Sequence, residues 1–330
     1  MYKFFIGIDI SKLTLDIAVI NNGIFVDAFQ VKNSTKGMVE MLKLVKSKYK
    51  CTRLNTFFCA EQMGIYGRFV ELELSKKKYF FCMEVPLQIK LSLGIQRGKS
   101  DALDAQRIAG YACQNHAHLK LWKPPRPALE TLKTLVSMRN RLIKAKVMIT
   151  NFAKIETYYL PKDILAANTA FYQLSKSSIE ADIINIERKM DEVITRDDKL
   201  NNLMALITSV PRIGKITAIQ MILFTNEFNS ITCPRKFASY CGVAPFPFNS
   251  GTSIKGRTKI SSIANKEIKK LLHLAAIGFT GNSQTFLGRY YRRKIAEGKQ
   301  KMIVINAIRN KLIHRVYSCV KNNKAFEDLK

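Results

Sequence analysis

Three apolar runs rich in β-branched and aromatic residues crowd the first 31 positions: KFFIGID (3–9), TLDIAVI (14–20) and GIFVDAFQV (23–31). Each is too short for a stable helix, and Asn-Asn-Gly at 21–23 is a hairpin signal because Asn and Gly tolerate positive φ. A three-stranded meander is therefore expected. The chain then alternates. KGMVEMLKLVKSKY (36–49) has the spacing of an amphipathic helix, and NTFFCAE (55–61) reads as a fourth strand. A helix from about Gly64 to Lys76 and a fifth strand, KYFFCMEV (78–85), come next. Asp101 to Cys113 reads as a helix with Ser100 as N-cap. A meander followed by alternating helices and strands predicts an α/β layered fold.

The prolines of LWKPPRP (121–127) mark a boundary. Beyond it, Leu129 to Tyr158 reads as one long helix. A second is expected to begin near Ser177, where SSIE has the form of a capping box. Ile179, Ile183, Ile186, Met190 and Val193 step by 4 and 3, the period of a coiled-coil seam. Both a hairpin packed on itself and a dimerising stalk fit that period. From Asn201 the pattern changes, so three segments are expected: 1–125, a helical coiled-coil segment at 126–200, and 201–330. Within the last, LITSVPRIGKITAIQMI (206–222) resembles a helix-hairpin-helix whose turn amides and basic side chains can hold a phosphate. The usual first glycine of that turn is replaced by Arg212, and Lys215 comes shortly after it. Residues 237–261 read as loop-rich, with two good helices after them.

Charge narrows the function classes. The formal net charge is +29, and residues 201–330 carry 22 Lys and Arg against 5 Asp and Glu. Such an excess points to a polyanion, with nucleic acid favoured over a membrane surface. There is no run of 18 apolar residues, so no membrane-spanning helix is expected. Asp9 inside the first apolar stretch argues against a signal peptide. The seven cysteines are scattered without a C-x-x-C pair, which fits a reducing, cytoplasmic setting and excludes a disulfide framework.

The acidic residues are few, so their positions matter. Asp9 lies in the middle of an apolar strand, and an unpaired buried carboxylate costs several kcal/mol. Glu61 ends the fourth strand. Asp101 and Asp104 project from one face of a helix's first turn. Converging carboxylates repel unless a cation sits among them, and an all-oxygen set suits Mg²⁺ or Mn²⁺. The alternative is that these residues simply pair with the abundant Lys and Arg. The neighbouring Gly94, Gly98, Lys99 and Ser100 mimic a phosphate-binding loop, but three residues between the glycines make it one too short.

FIGIDISKLTLDIAVI, FFCAEQMGIYG and GKSDALDAQRIA together resemble the DEDD motif of the insertion sequence 110 family of transposases and Piv-type DNA invertases. SVPRIGKITA, FASYCGVAPFPFNSG and GRTKISSIANKEIKKLLHLAA resemble that family's second, transposase domain. The resemblance implies an RNase H-like (RuvC-type) first domain with Asp9, Glu61, Asp101 and Asp104 as its metal-binding acids. It also implies a mainly helical last domain with a serine nucleophile, which falls on Ser250 of FNSGTSIKG, Ser253 being the alternative. Lys255, Arg257 and Lys259 would stabilise charge developing on a phosphodiester there. Thr252 and Ser253 intervene before Lys255, whereas the family commonly has a basic residue one or two positions after the glycine. Further implications are donor and target DNA as substrates, a structured guide RNA, and a homodimer or homotetramer.

Three other readings remain open. A RuvC-like metal-dependent nuclease would need the acids without the serine. IGIDISKLTLDIAVI also resembles the first phosphate motif of sugar-kinase and actin-like ATPases, but the later D-x-G-G motif of those proteins is absent. A nucleic-acid-binding protein with a decayed active site is the non-enzymatic reading.

Overall fold

The computed structural model describes residues 2–94, 98, 100–250, 254–281 and 284–327. The chain divides into two compact units, Met1–Pro124 and Pro125–Lys330.

The first unit is built on a mixed five-stranded sheet. Its strands are β1 (Phe4–Ile10), β2 (Thr14–Asn21), β3 (Ile24–Lys32), β4 (Thr56–Glu61) and β5 (Phe80–Glu84). They run in the order β3-β2-β1-β4-β5. The three meander strands pair antiparallel, while β4 and β5 add parallel to β1. The expected turn at 21–23 is present: Asn22 and Gly23 have φ of 48° and 84°, the two positive values a tight hairpin needs.

Alternation sends the two sides of each strand to different layers. Ile6, Ile8 and Ile10 of β1 pack with Met38 and Met41 of helix α1 (Thr35–Tyr49) and with Val70 and Leu74 of helix α2 (Arg68–Lys76). A 3-10 turn, Gly64–Gly67, precedes α2, where one continuous helix was expected. The other face buries Phe5, Ala18, Phe57 and Cys59. It is covered by Ile89 of helix α3 (Pro86–Ser92), which the sequence reading missed, and by Ala105, Ile108 and Ala109 of helix α4 (Asp101–Asn115). Gly7 explains how closely α4 sits. A Cβ there would overlap Ala105 O and Ala109 N and stand 2.9 Å from Ala109 Cα.

In the second unit, helices α5 (Pro127–Tyr159) and α6 (Lys162–Thr195) form one long antiparallel hairpin. The second helix therefore starts 15 residues before the position expected from SSIE. Ser177 is already inside it, and its hydroxyl donates to Leu174 O at 2.9 Å rather than capping. A capping box works only where the chain enters a helix, and here entry is set by Pro161, whose fixed φ suits a helix start. The seam from Ile179 to Val193 is at least partly buried, while Phe171 and Leu174 are exposed. Arg139–Glu187 at 2.6 Å and Lys146–Glu180 at 2.9 Å tie the two helices together.

The root of this hairpin packs into the rest of the unit. Leu129, Leu132, Val136, Met190 and Ile194 share one core with helix α7 (Asp198–Thr208), helix α8 (Lys215–Thr225) and helix α9 (Pro234–Tyr240). Residues 126–200 and 201–330 thus belong to a single unit. Arg126 anchors its start, reaching Asp197 at 2.8 Å and also pairing with Glu227. The stretch 237–261, expected to be loop, contains strands β6 (Pro245–Ser250) and β7 (Ile254–Ile260), paired antiparallel. Its prolines hid it: register shifts between Phe246 and Phe248, so Pro247 sits in a bulge. Helices α10 (Lys266–Ile277) and α12 (Lys301–Asn322) match the two expected, and α11 (Phe286–Ala296) lies between them.

Candidate active site

Strand register brings carboxylates into a row. Asp9 on β1 stands opposite Asp16 on β2. Glu61 on β4 stands opposite Glu84 on β5. Gly7 pairs with Cys59 and Ile8 with Ala60, so Asp9 and Glu61 come next along adjacent strands. Cys59 and Ala18 mark this face as the one under α4. Gln30, opposite Asp16 on β3, donates to both of its carboxylate oxygens at 3.0 and 3.2 Å.

Helix α4 supplies the other acids. Ser100 caps it, its hydroxyl accepting from Leu103 N at 3.3 Å, so the role expected of Ser100 is that of an N-cap. Residues 95–97 and Lys99 of the loop-like segment lie outside the described residues. Asp101 and Asp104 occupy the first turn, where the helix dipole favours negative charge. Arg107 donates to Asp104 at 2.7 Å and to Gly98 O at 3.1 Å. It holds the Asp104 carboxylate and the segment before the helix together.

Asp9 and Glu61 feel neighbouring acids. Asp9 is pushed up to about 6, first by burial and then by the charges of Asp104, Asp101 and Asp16. Burial also raises Glu61, with Asp9 and Asp104 adding to it. Glu84 is raised by burial, against the pull of Lys120. Among the described residues, no group of three His, Cys, Asp or Glu side chains is set closely enough to hold an ion. The test of fit is therefore the donor set, all carboxylate oxygen, and the repulsion that adds to burial in raising Asp9. Both suit a hard divalent cation. Asp16, Glu84 and Arg107 were not singled out from sequence. Asp16 did carry the same signal as Asp9, a carboxylate inside an apolar strand.

The other expected residues lie in the second unit. Ser250 is the last residue of β6 and pairs with Ile254, while Asn249 pairs with Lys255. Ser253 is outside the described residues, as are the side chains of Ser250, Lys255 and Arg257. Lys259 is exposed on β7. The turn between α7 and α8 carries Arg212 with φ of 69°, so the residue standing where glycine is usual adopts a glycine-like backbone. Arg212 is exposed. Lys215 pairs with Asp191 at 2.6 Å and donates to Glu187 O at 3.3 Å, so its charge is already engaged. Among the described residues, no helix is long and apolar enough to cross a membrane.

Comparison with known proteins bears on both units. Residues 6–153 match the DEDD model of insertion sequence 110 type, described as "Transposase". Residues 204–291 match the model described as "Transposase IS116/IS110/IS902 family". A pilin gene-inverting protein of Moraxella lacunata is 25% identical over 335 residues, covering 99% of this chain and 98% of the relative. Its counterpart in Moraxella bovis is also 25% identical, with the same coverage. An uncharacterized 43.6 kDa protein of insertion element IS110 in Streptomyces coelicolor is 26% identical over 125 residues, 38% of this chain and 30% of that protein.

Proposed function

The chain belongs to the IS116/IS110/IS902 family of transposases, enzymes of DNA rearrangement, and from that premise we propose that it cuts and rejoins DNA with Ser250 as nucleophile and the acids of the first unit as a metal-assisted centre. The observation that carries the reading is the placement of Asp9 and Glu61 at the ends of adjacent strands on the α4 side of the sheet, with Asp101 and Asp104 on the first turn of α4, whose charges add to burial in raising Asp9. The sheet order β3-β2-β1-β4-β5 supports an RNase H-like first unit.

In the proposed reaction the Ser250 Oγ attacks a DNA phosphorus. An O–P bond to serine forms, the bond from phosphorus to the 3′ oxygen breaks, and the serine proton is given up as the departing oxygen becomes a hydroxyl. Rejoining reverses these steps on a second DNA end. Mg²⁺ or Mn²⁺ bound by Asp9, Glu61, Asp101 and Asp104 would supply Lewis-acid stabilisation of phosphoryl oxygens. Asp16, hydrogen-bonded by Gln30, stands opposite Asp9 and adds another carboxylate beside the proposed cation site. Arg107 orients the Asp104 carboxylate by an ion pair one turn along α4. Lys255, Arg257 and Lys259 lie on β7, registered against the strand that ends in Ser250, and fit the neutralisation of phosphate charge. The concentration of charge in the last third supports binding of a polyanion, in this reading donor and target DNA, and accommodates a structured guide RNA.

A suicide duplex, nicked so that rejoining cannot occur, tests the reading. A protein–DNA adduct that survives denaturation is expected, mapping to the tryptic peptide of Ser250. Ser250→Ala should lose adduct and recombination together while still binding DNA. Cleavage by Ser250→Ala without adduct would instead assign a water-using metal nuclease.

A further inference from the structure

Arg309 of α12 is only 5% exposed, and no carboxylate pairs with it among the described residues. Ile305, Ile308 and Leu312 of its own helix, and Leu272 and Ala276 of α10, are buried in the core of the second unit. Its Nη2 donates to His273 Nδ1 on α10. Its Nη1 reaches Asn306 Oδ1 at 3.5 Å, and Asn306 Nδ2 donates to Val243 O at 2.8 Å. Its Nε has no hydrogen-bond partner.

A guanidinium keeps its protons at any ordinary pH. The nitrogen that accepts from it, His273 Nδ1, must then carry a lone pair, which leaves the imidazole neutral with its hydrogen on Nε2. Burial and the Arg309 charge both hold His273 below the usual histidine range, in keeping with that form. His273 is itself only partly buried, so its side chain is within reach of solvent while a poorly screened positive charge stands behind its Nδ1.

Its surroundings indicate the acceptor. Lys269, one turn earlier on α10, lies over Gly242, its Nζ 3.4 Å from where a Cβ would stand. Gly242, at φ of 61°, and Val243 belong to the turn that leads into β6. An uncompensated buried cation is destabilising, and an anion arriving from outside offsets that cost. The +17 excess of residues 201–330 makes a nucleic-acid phosphate the matching anion.

We propose that His273 is a phosphodiester contact at the root of the β6–β7 hairpin, and that Arg309 is its positioning residue, fixing the tautomer and supplying the charge. This rests on the reading that the chain handles nucleic acid, but not on Ser250 being the nucleophile.

The test uses full-length protein labelled with ¹⁵N-histidine. In the free protein His273 should give the signature of the Nε2–H tautomer. Inorganic phosphate, against chloride at matched ionic strength, should shift its Nε2 signal more than those of His116, His118 and His314. A DNA duplex and an RNA hairpin of equal phosphate number then assign the source: a shift with either supports the contact and names its backbone. His273→Leu should weaken binding about tenfold, the loss of one hydrogen bond to a charged group, and His273→Gln, which keeps a donor, should recover most of it. Arg309→Met should melt no lower than the parent, yet redistribute the His273 tautomers and weaken binding. A proton found on Nδ1 would overturn the proposal, as would a His273 signal unmoved by phosphate and both nucleic acids, or equal affinities for His273→Leu and the parent. A protein that forms no serine adduct but shows the His273 shifts would reject the serine chemistry and leave this contact standing.

Discussion

Asp9 carries a pH signature that can be measured without substrate. Its carboxyl is held at about 6 in the folded chain against an ordinary value of 3.8. Between those values the folded state binds more protons than the unfolded one, so this group's contribution to stability falls as pH rises through that window and is lost above it. A divalent cation needs the ionised carboxylate. Thermal melting in Mg²⁺ should therefore rise relative to metal-free protein at pH 7.5, with the gain shrinking as pH drops below about 6. Asp9→Asn should remove most of that gain. It should also abolish recombination while leaving nucleic-acid affinity unchanged or slightly raised, since a negative charge beside phosphate is gone. Full recombination by Asp9→Asn in Mg²⁺ would sink the metal reading. Asp9 was legible in the sequence because a charge in an apolar strand demands a reason. Glu84 was not, because at the end of a short strand it resembles any exposed acid until register sets it opposite Glu61.

At the scale of elements, the placing of α4 on β1 decides whether the acids meet. Gly7 is the contact, and it has no room for a methyl group. Gly7→Ala should lower stability by roughly 1–3 kcal/mol through overpacking. It should also reduce recombination beyond what that loss explains, because α4 carries Asp101 and Asp104 away from Asp9. Denaturant melts beside activity at a temperature where the variant is folded would separate the two effects; unchanged activity would show that α4 need not sit so close. The long hairpin gives the opposite lesson. Its seam was readable from a 4-3 period, but its second start was not. SSIE has the local chemistry of a helix start, and only the continuation of the helix back to Lys162, packed on α5, removes its capping role. The β6–β7 hairpin was missed for a related reason. Proline weakens strand propensity, and pairing between the two segments overrides it.

For the whole molecule, the shared core of the second unit makes a prediction about cutting the chain. A fragment of residues 125–330 should unfold cooperatively. A fragment of 201–330 lacks Leu129, Leu132, Val136, Met190 and Ile194 from that core, and also Arg126 and Asp197, two members of the ion-pair group around Glu227. It should be unfolded or molten, as seen by lost near-ultraviolet dichroism and dye binding. A sharp two-state melt of 201–330 would contradict this. Binding of nucleic acid by 125–330 should weaken steeply with salt, log affinity falling with log salt at about 0.9 per phosphate neutralised on duplex DNA. The corresponding slope for 1–124 should be shallower, because its acids are gathered on the face that would meet DNA.

The residues alone determined that this chain opens with a strand meander, has a basic last third, carries Asp9 inside an apolar strand and sets Asp101 and Asp104 on one helix turn. Those are properties of composition and period, which each segment carries by itself. Tertiary structure decided the rest. Register lined Asp16, Asp9, Glu61 and Glu84 across four strands, α4 set Asp101 and Asp104 over them, and the packing of α10 on α12 enclosed Arg309 against His273. None of these is a local preference. Each arises because residues far apart in sequence are forced into one low-dielectric neighbourhood, where a charge that water would screen must find a partner or a ligand.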